Sequence, residues 1–113
     1  MSGKGLAAED AAAAFLAGRG LELLQRNYRC RFGEIDLVFR DGRTLVFVEV
    51  RYRGSRTFGD AAESITSSKR EKLLRTARHY MAAHGQFPAC RFDAVLLNGD
   101  TPDIEWLPNA FGE

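Results

Sequence analysis

The spacing of apolar residues in the middle of the chain predicts two β-strands joined by a tight turn. Residues 34–40 place Ile35, Leu37 and Phe39 on one face and Glu34, Asp36 and Val38 on the other. In residues 44–52 the valines at every second position alternate with Leu45, Phe47, Glu49 and Arg51. A period of two is typical of strands, whose successive side chains point to opposite faces. Asp41 and Gly42 lie between the two segments and favour a two-residue hairpin turn.

Two other segments show the features of helices. Residues 6–17 are rich in alanine, and glycines at positions 18 and 20 follow where a helix should end. Ser68 and Glu71 form a capping-box pair ahead of a helical apolar pattern, which Gly85 ends. We therefore expect one helix before the hairpin and one after it.

Three further strands and one loop complete the predicted fold. Residues 21–29 predict a strand before the hairpin, and residues 54–66 predict a loop after it. Residues 91–97 and 103–107 are strand candidates separated by a turn signal at residues 98–100. The expected order is α-β-β-β-α-β-β in an α/β fold, without a repeat or a linker.

Length and composition indicate one ordered domain. The chain has 113 residues, which suits a single domain over residues 1–113. Its 45% hydrophobic and 27% charged residues exclude a disordered or fibrous chain. Cys30 and Cys90 lack the paired spacing of a zinc or disulfide framework. The apolar run at 11–16 follows two acidic residues, unlike a signal peptide, and no stretch reaches membrane-spanning length. We therefore expect a cytoplasmic protein that does not contact a membrane.

Three carboxylates are expected on one face of the hairpin. If residues 41–42 form the turn, Glu34 lies opposite Glu49 and Asp36 lies opposite Phe47. Asp36 and Glu49 are then diagonal neighbours with alpha carbons about 7–8 Å apart, close enough for two carboxylates to hold one cation. Like charges in such positions repel each other unless a proton, a cation or a metal intervenes.

A hard divalent cation suits this expected cluster. Mg²⁺ or Mn²⁺ takes oxygen ligands and keeps several waters, so one or two carboxylates are sufficient, with Glu34 as an accessory ligand. Such a metal can neutralise phosphate charge and activate water for phosphodiester hydrolysis. The alternative is that these acids are solvated surface charges, neutralised by Arg51 and Arg53. Apolar residues on the same face, among them Val38 and Phe47, favour the site.

Basic residues accumulate in one part of the chain. Residues 51–78 hold eight basic and three acidic side chains, although the formal net charge of the whole chain is only +1. The expected nucleic-acid contacts are Arg51, Arg53, Arg56, Lys69, Lys72 and Arg75. A solvated helix face is one interpretation, and a surface that follows the phosphates of nucleic acid is the other. Because a lysine at a helix start is usually a solvated surface charge, Lys69 is expected to be one.

Four ordered motifs resemble the small bacterial YraN-like family. They are residues 33–37 (Gly-Glu-Ile-Asp-Leu), residues 46–51 (Val-Phe-Val-Glu-Val-Arg), residues 91–93 (Arg-Phe-Asp) and residues 109–111 (Asn-Ala-Phe). That family is regarded as a group of predicted endonucleases distantly similar to archaeal Holliday-junction resolvases. The resemblance extends over nearly the whole chain and implies a restriction-endonuclease-like fold, with a central mixed β-sheet flanked by helices.

The resemblance also implies roles for individual residues. In that fold a helix Glu, a strand Asp and a Glu-x-Lys strand motif build the metal site. By position, Glu9 is the helix acid, Asp36 the strand acid and Glu49 the acid of the last motif. Arg51 stands where the motif has lysine. Arginine stays protonated and cannot act as a base, but it can stabilise a phosphorane or orient water, so catalysis stays open.

Three functions are consistent with these patterns. The first is a metal-dependent endonuclease, a phosphodiester hydrolase that cuts structured DNA with water activated by Mg²⁺ or Mn²⁺. The second is a nucleic-acid-binding module of the same fold without catalysis. The third is an interaction protein whose end strand and tail bind a partner. DNA is the expected nucleic acid, with RNA left open, and the resemblance to resolvases makes a homodimer plausible.

Overall fold

Two helices and five strands make up the described part of the chain. The computed structural model describes residues 3–53, 67–85, 89–98 and 103–111. The elements are α1 (Gly3–Gly18), β1 (Glu22–Cys30), β2 (Gly33–Asp41), β3 (Thr44–Arg53), α2 (Ser67–His84), β4 (Ala89–Asn98) and β5 (Asp103–Phe111). These elements confirm the predicted α/β class.

Several elements are longer than the sequence pattern predicts. α1 begins at Gly3, and β5 continues to Phe111, where it pairs with Phe92 of β4 after an irregular step. Pro108 interrupts the strand pattern in β5, because proline cannot donate to a ladder, so the pattern hides the end of this strand. The predicted loop at 54–66 lies outside the described residues. In the ranges that are described, no helix combines the length and apolar composition that a membrane span requires.

All five strands lie in one mixed sheet in the order β1-β2-β3-β4-β5. β3 and β4 are parallel, and the other neighbours are antiparallel. A parallel neighbour requires the chain to return to the same end of the sheet, and α2 lies in the sequence between these two strands. The mixed sheet with helices is therefore present, while the restriction-endonuclease-like assignment stays a prediction.

A hydrophobic core lies on each face of the sheet. The first core packs Ala8, Ala12 and Leu16 of α1 against Leu37, Phe39, Val46 and Val48. The second core packs Leu73, Ala77 and Tyr80 of α2 against Val38, Leu45, Phe47 and Phe92. Side chains of β3 thus alternate between the cores as predicted, and Glu49 continues the series on the α2 side.

Local hydrogen bonds end α1 and direct the chain into β1. The N–H of Gly20 donates to the carbonyl of Ala17, and the N–H of Leu21 donates to the carbonyl of Leu16. Gly20 has φ 96°, a conformation that favours glycine. These bonds form a Schellman motif, which satisfies helix carbonyls that would otherwise lack donors. The predicted end of the first helix near these glycines is confirmed.

The turn between β2 and β3 lies one residue later than predicted. Asp41 pairs with Thr44, so Gly42 and Arg43 form the loop. Gly42 has φ 63° at the first loop position, where a two-residue hairpin turn commonly requires glycine. Asp41 stays in the strand, and its carboxylate accepts an N–H of Arg91 from β4 at 3.2 Å. This contact favours the observed turn over one centred on Asp41.

The later turn changes the register of the hairpin. Val38 pairs with Phe47, so the prediction that Asp36 lies opposite Phe47 and Glu34 opposite Glu49 is wrong. The register differs by two positions, and side chains alternate with a period of two, so this shift alone moves no side chain to the other face.

Ile35 is the exception to the predicted faces of β2. It packs with Val38 in the core on the α2 side, whereas Leu37 and Phe39 pack on the α1 side. The prediction that Ile35, Leu37 and Phe39 share one face is therefore wrong for Ile35. The alternation breaks at Asp36, next to the last observed pair between β2 and β3.

A buried carboxylate connects β4 to β5 and to the hairpin. Asp93 is fully buried, and it accepts the backbone N–H of Asn109 at 2.8 Å and the indole N–H of Trp106 at 2.9 Å. The guanidinium of Arg91 donates to the same carboxylate and also to Asp41. Because a buried carboxylate without partners is strongly unfavourable, these donors stabilise one register of β5 on β4.

We predict that Asp93→Asn lowers the free energy of unfolding by about 2–4 kcal/mol, because it removes a buried charge from its guanidinium and N–H donors. Urea denaturation measures this change. Asp103→Asn is the matched control, since Asp103 is exposed at the start of β5. Equal stability losses in the two variants would contradict a structural role for the buried carboxylate.

Candidate active site

Two carboxylates face each other where β2 and β3 separate. The observed pairing ends at Leu37 and Val48, so the next residues, Asp36 and Glu49, lie across from each other rather than diagonally as predicted. The backbone N–H of Val50 donates to Oδ2 of Asp36 at 2.8 Å. In a regular ladder this donor would bond to a backbone carbonyl. The bond therefore holds the Asp36 carboxylate between the strands.

The surroundings of Asp36 favour its protonated form. Burial raises the pKa of Asp36 from 3.8 to about 7, and the negative charge of Glu49 adds to this increase. The N–H of Val50 acts in the opposite direction, while Glu9 and Glu34 add smaller increases. A cation beside Asp36 would favour the ionised carboxylate instead.

Two basic side chains hold Glu49. The side chain of Glu49 is only 9% exposed, and its Oε2 lies 2.6 Å from Nζ of Lys69 and 3.4 Å from Nη2 of Arg51. Arg51 belongs to the same strand as Glu49, whereas Lys69 comes from the first turn of α2. The lysine that the sequence pattern treats as a surface charge is therefore part of the carboxylate cluster.

Arg51 also carries an unsatisfied donor. Among the described side chains, its Nε–H is a buried group without an acceptor. Leaving such a donor unpaired costs about 1–3 kcal/mol. Unsatisfied buried groups are uncommon in folded proteins and often belong to catalytic or ligand-binding sites. The position of Arg51 next to Glu49 agrees with such a role.

A pocket of about 250 Å³ opens between the strand carboxylates and α2. It is lined by Gly33, Glu34, Asp36, Glu49, Lys69, Lys72 and Leu73. Gly33 has φ 152°, and a Cβ on it would lie 3.2 Å from Oγ1 of Thr76. A glycine is therefore needed where β2 approaches α2. The pocket has an acidic wall from the strands and a basic wall from the helix.

Glu34 contributes less to the carboxylate cluster than predicted. It lines the pocket, but its Oε2 lies 3.2 Å from Nε of Arg29 on the neighbouring strand β1. Within the described ranges, no three His, Cys, Asp or Glu side chains form a group that could hold a metal ion. Of the three predicted ligands, Asp36 and Glu49 form a close pair, and Glu34 lies at the edge of the pocket.

Glu9, the predicted helix acid, lies on the α1 side of the site. Its Oε1 accepts a hydrogen bond from Nδ2 of Asn27 at 3.2 Å and lies 4.0 Å from the guanidinium of Arg26. Asn27 has φ 53°, so β1 is locally irregular here. The negative charge of Glu9 slightly raises the pKa of Asp36. Its Oε1 accepts the hydrogen bond from Asn27, and this contact joins α1 to β1.

The predicted basic residues occupy different positions around the pocket. Lys69 and Lys72 line it, and Arg75 is exposed further along α2. Arg53 is the last residue of β3, and Arg56 lies outside the described residues. Two of the predicted basic residues of α2 therefore line the same pocket as the carboxylates, and Lys69 contacts Glu49 directly.

The raised pKa of Asp36 predicts a pH-dependent stability. An unfolded carboxyl ionises near pH 4, whereas Asp36 in the folded chain ionises near pH 7, so the folded chain holds an extra proton between these values. The free energy of unfolding should therefore fall as pH rises from about 4 to 7. Asp36 alone contributes at most about 1.4 kcal/mol per pH unit to this decrease.

Asp36→Asn should remove that part of the slope, because asparagine does not titrate and its carbonyl oxygen can still accept the N–H of Val50. Denaturation at a series of pH values measures the difference between the two proteins. Asp10→Asn is the control, since the Asp10 side chain is 65% exposed. A slope unchanged by Asp36→Asn would contradict the raised pKa.

Comparison with known proteins identifies the family. The model of "Uncharacterised protein family UPF0102" matches residues 8–97. A UPF0102 protein of Nitrosospira multiformis is 64% identical over 109 residues, which cover 96% of this chain and 92% of the relative. A UPF0102 protein of Nitrosomonas europaea is 61% identical over 112 residues, with 97% and 94% covered. One from Aeromonas hydrophila is 50% identical over 111 residues, with 96% and 84% covered. The YraN-like resemblance of the motifs is thereby confirmed at the level of the family, and the chain belongs to UPF0102.

Proposed function

We propose that the protein is a cytoplasmic, metal-dependent nuclease with a restriction-endonuclease-like fold, which binds structured DNA and hydrolyses phosphodiester bonds. The observation that carries the proposal is the pocket in which Asp36 and Glu49 face Lys69 and Lys72. Hard cations need oxygen ligands, and phosphate groups need positive charge. A pocket with one acidic and one basic wall therefore suits a cation bound next to a phosphate.

The donor set fits Mg²⁺ or Mn²⁺. Asp36 and Glu49 offer carboxylate oxygens, which these hard cations prefer to sulfur ligands. Two protein ligands are sufficient, because Mg²⁺ usually retains several waters. The described residues give Asp36 a backbone N–H partner but no ion-pair partner, so its carboxylate is the one that a cation would stabilise most.

Residues in and beside the pocket have defined roles in this proposal. A bound divalent cation would neutralise phosphate charge and supply an activated water. Asp36 and Glu49 would hold that cation. Arg51 remains protonated, so it stabilises negative charge rather than removing a proton, and its guanidinium lies beside Glu49 with the side chain 31% exposed. Lys72 and Arg75 continue the positive surface along α2, where contacts to the nucleic-acid backbone do not depend on sequence.

A nucleic-acid-binding module without catalysis is the second candidate. The ion pairs of Glu49 with Lys69 and Arg51 favour it, because they satisfy the charge of this carboxylate without a metal. If those pairs persist when nucleic acid binds, the basic residues hold phosphates and no water is activated. Metal binding and cleavage distinguish the two functions.

We predict weak binding of Mn²⁺ at the carboxylate pair. Calorimetry at about pH 8, where the folded chain has released the proton of Asp36, should give a binding signal. Asp36→Asn and Glu49→Gln should each reduce the affinity at least about tenfold, because each removes a direct ligand. Glu105→Gln changes an exposed residue of β5 and should leave the affinity unchanged. Equal binding by all four proteins would exclude this pair as the site.

We predict that Arg51→Lys retains or raises cleavage of branched or single-stranded DNA in Mn²⁺, because it keeps a positive charge near the carboxylates. Arg51→Ala should lower the rate by about a hundredfold or more, the usual effect of losing a group that stabilises transition-state charge. Glu49→Gln should abolish cleavage. The rates are measured with labelled oligonucleotides.

The same assay separates the two candidate functions. Equal cleavage by wild type and Glu49→Gln would assign the activity to a contaminating nuclease. If neither wild type nor Arg51→Lys cuts structured DNA or RNA, while binding persists and weakens with salt, the binding module replaces the nuclease.

A further inference from the structure

We propose that Lys69 is an internal counter-ion that a divalent cation displaces from Glu49, and that the displaced ammonium then binds a phosphate of the nucleic acid. This inference rests on the metal site proposed above and adds a residue that controls when the site is occupied. Its starting point is the contact of 2.6 Å between Nζ of Lys69 and Oε2 of Glu49.

Lys69 and a divalent cation compete for the same carboxylate. The Glu49 side chain is 9% exposed, so few other groups can approach it. A cation held by Asp36 and Glu49 would meet the positive ammonium that already contacts one of its two ligands. Like charges repel each other strongly at such separations in a half-buried site. Binding of the cation therefore favours departure of the ammonium.

Lys69 is the more easily displaced of the two basic partners of Glu49. The two side chains are similarly exposed, Lys69 at 36% and Arg51 at 31%, but Lys69 ends in a compact ammonium on a flexible stem. Arg51 lies on β3 in the middle of the sheet, and its Nε is buried. Moving Arg51 would disturb a packed strand, whereas Lys69 can rotate within the pocket.

A displaced Lys69 would remain next to a second lysine. Lys72 lies one helical turn further along α2 and lines the same pocket. Two ammonium groups on one wall, opposite carboxylates neutralised by a cation, attract phosphate oxygens. Without the cation, Glu49 engages Lys69, and this ammonium does not contact a phosphate. Metal binding and DNA binding should therefore strengthen each other.

The first test compares the affinity for Mn²⁺ alone in four folded proteins. Lys69→Met should bind Mn²⁺ about tenfold more tightly than wild type, because a competing unit charge has been removed from the half-buried site. Lys69→Arg keeps the charge and should behave like wild type. Lys72→Met removes a charge from the same wall without removing the contact to Glu49, so its affinity should change little.

The outcomes of this test separate the counter-ion from the metal site itself. If Lys69→Met binds Mn²⁺ no more tightly than wild type, or if both methionine variants gain equally, Lys69 is not the counter-ion and the metal site stands. If wild type and every variant fail to bind Mn²⁺, the metal site and the counter-ion are both excluded. Thermal unfolding confirms that each variant is folded.

The second test measures the phosphate contact with a duplex oligonucleotide at constant ionic strength. In Ca²⁺, which we use to occupy the site, Lys69→Met should weaken DNA binding several-fold relative to wild type. In EDTA Glu49 holds Lys69, so no phosphate contact is lost, and the same substitution should weaken DNA binding clearly less than it does in Ca²⁺. An equal loss of affinity under both conditions would show that Lys69 does not exchange partners and would overturn the proposal.

Discussion

The hydrogen bond from the N–H of Val50 to the carboxylate of Asp36 is the contact on which the site depends. It forms where the pairing of β2 and β3 ends, and next to it Ile35 packs toward α2 instead of α1. This bond holds the carboxylate between the strands and beside Glu49. There, burial and the charge of Glu49 raise the pKa of Asp36, although the hydrogen bond itself acts in the opposite direction. The Asp36 carboxylate thus accepts the N–H of Val50 in place of a backbone carbonyl, and this exchange of acceptors positions the acidic wall of the pocket.

The two carboxylates are compensated in different ways. Glu49 has two basic partners, Lys69 and Arg51, whereas Asp36 has a single neutral donor and favours its protonated form. The backbone N–H of Val50 holds Asp36, whereas two ion pairs hold Glu49. In the function proposed above, a metal would take the place of the proton of Asp36 and of the ammonium at Glu49, and the observed pairing of β2 with β3 would not have to change.

Local spacing was sufficient to predict the α/β class and the faces of β3, because period and turn residues depend only on neighbours in the sequence, but it did not predict where α1 begins or where β5 ends. The register was not predictable in the same way, since Gly42 can occupy either position of the turn and a contact from Arg91 on β4 favours the observed one. The partner of Lys69 and the donors around Asp93 depend on which elements pack together, and no local pattern contains that information. The pair of Asp36 and Glu49 was predicted from their shared face, although the predicted diagonal arrangement was wrong.

The parallel pairing of β3 with β4 also bears on how the chain folds. Each of its pairs joins residues 45 positions apart, whereas β1, β2 and β3 pair as consecutive hairpins. Closing a longer loop costs more entropy, so the three-stranded meander should assemble first and the central parallel pair later. The pocket needs α2 as well as β3, and α2 follows the meander in the chain. During synthesis on the ribosome, the carboxylates would therefore emerge before their basic wall, and a nascent chain would carry no complete site.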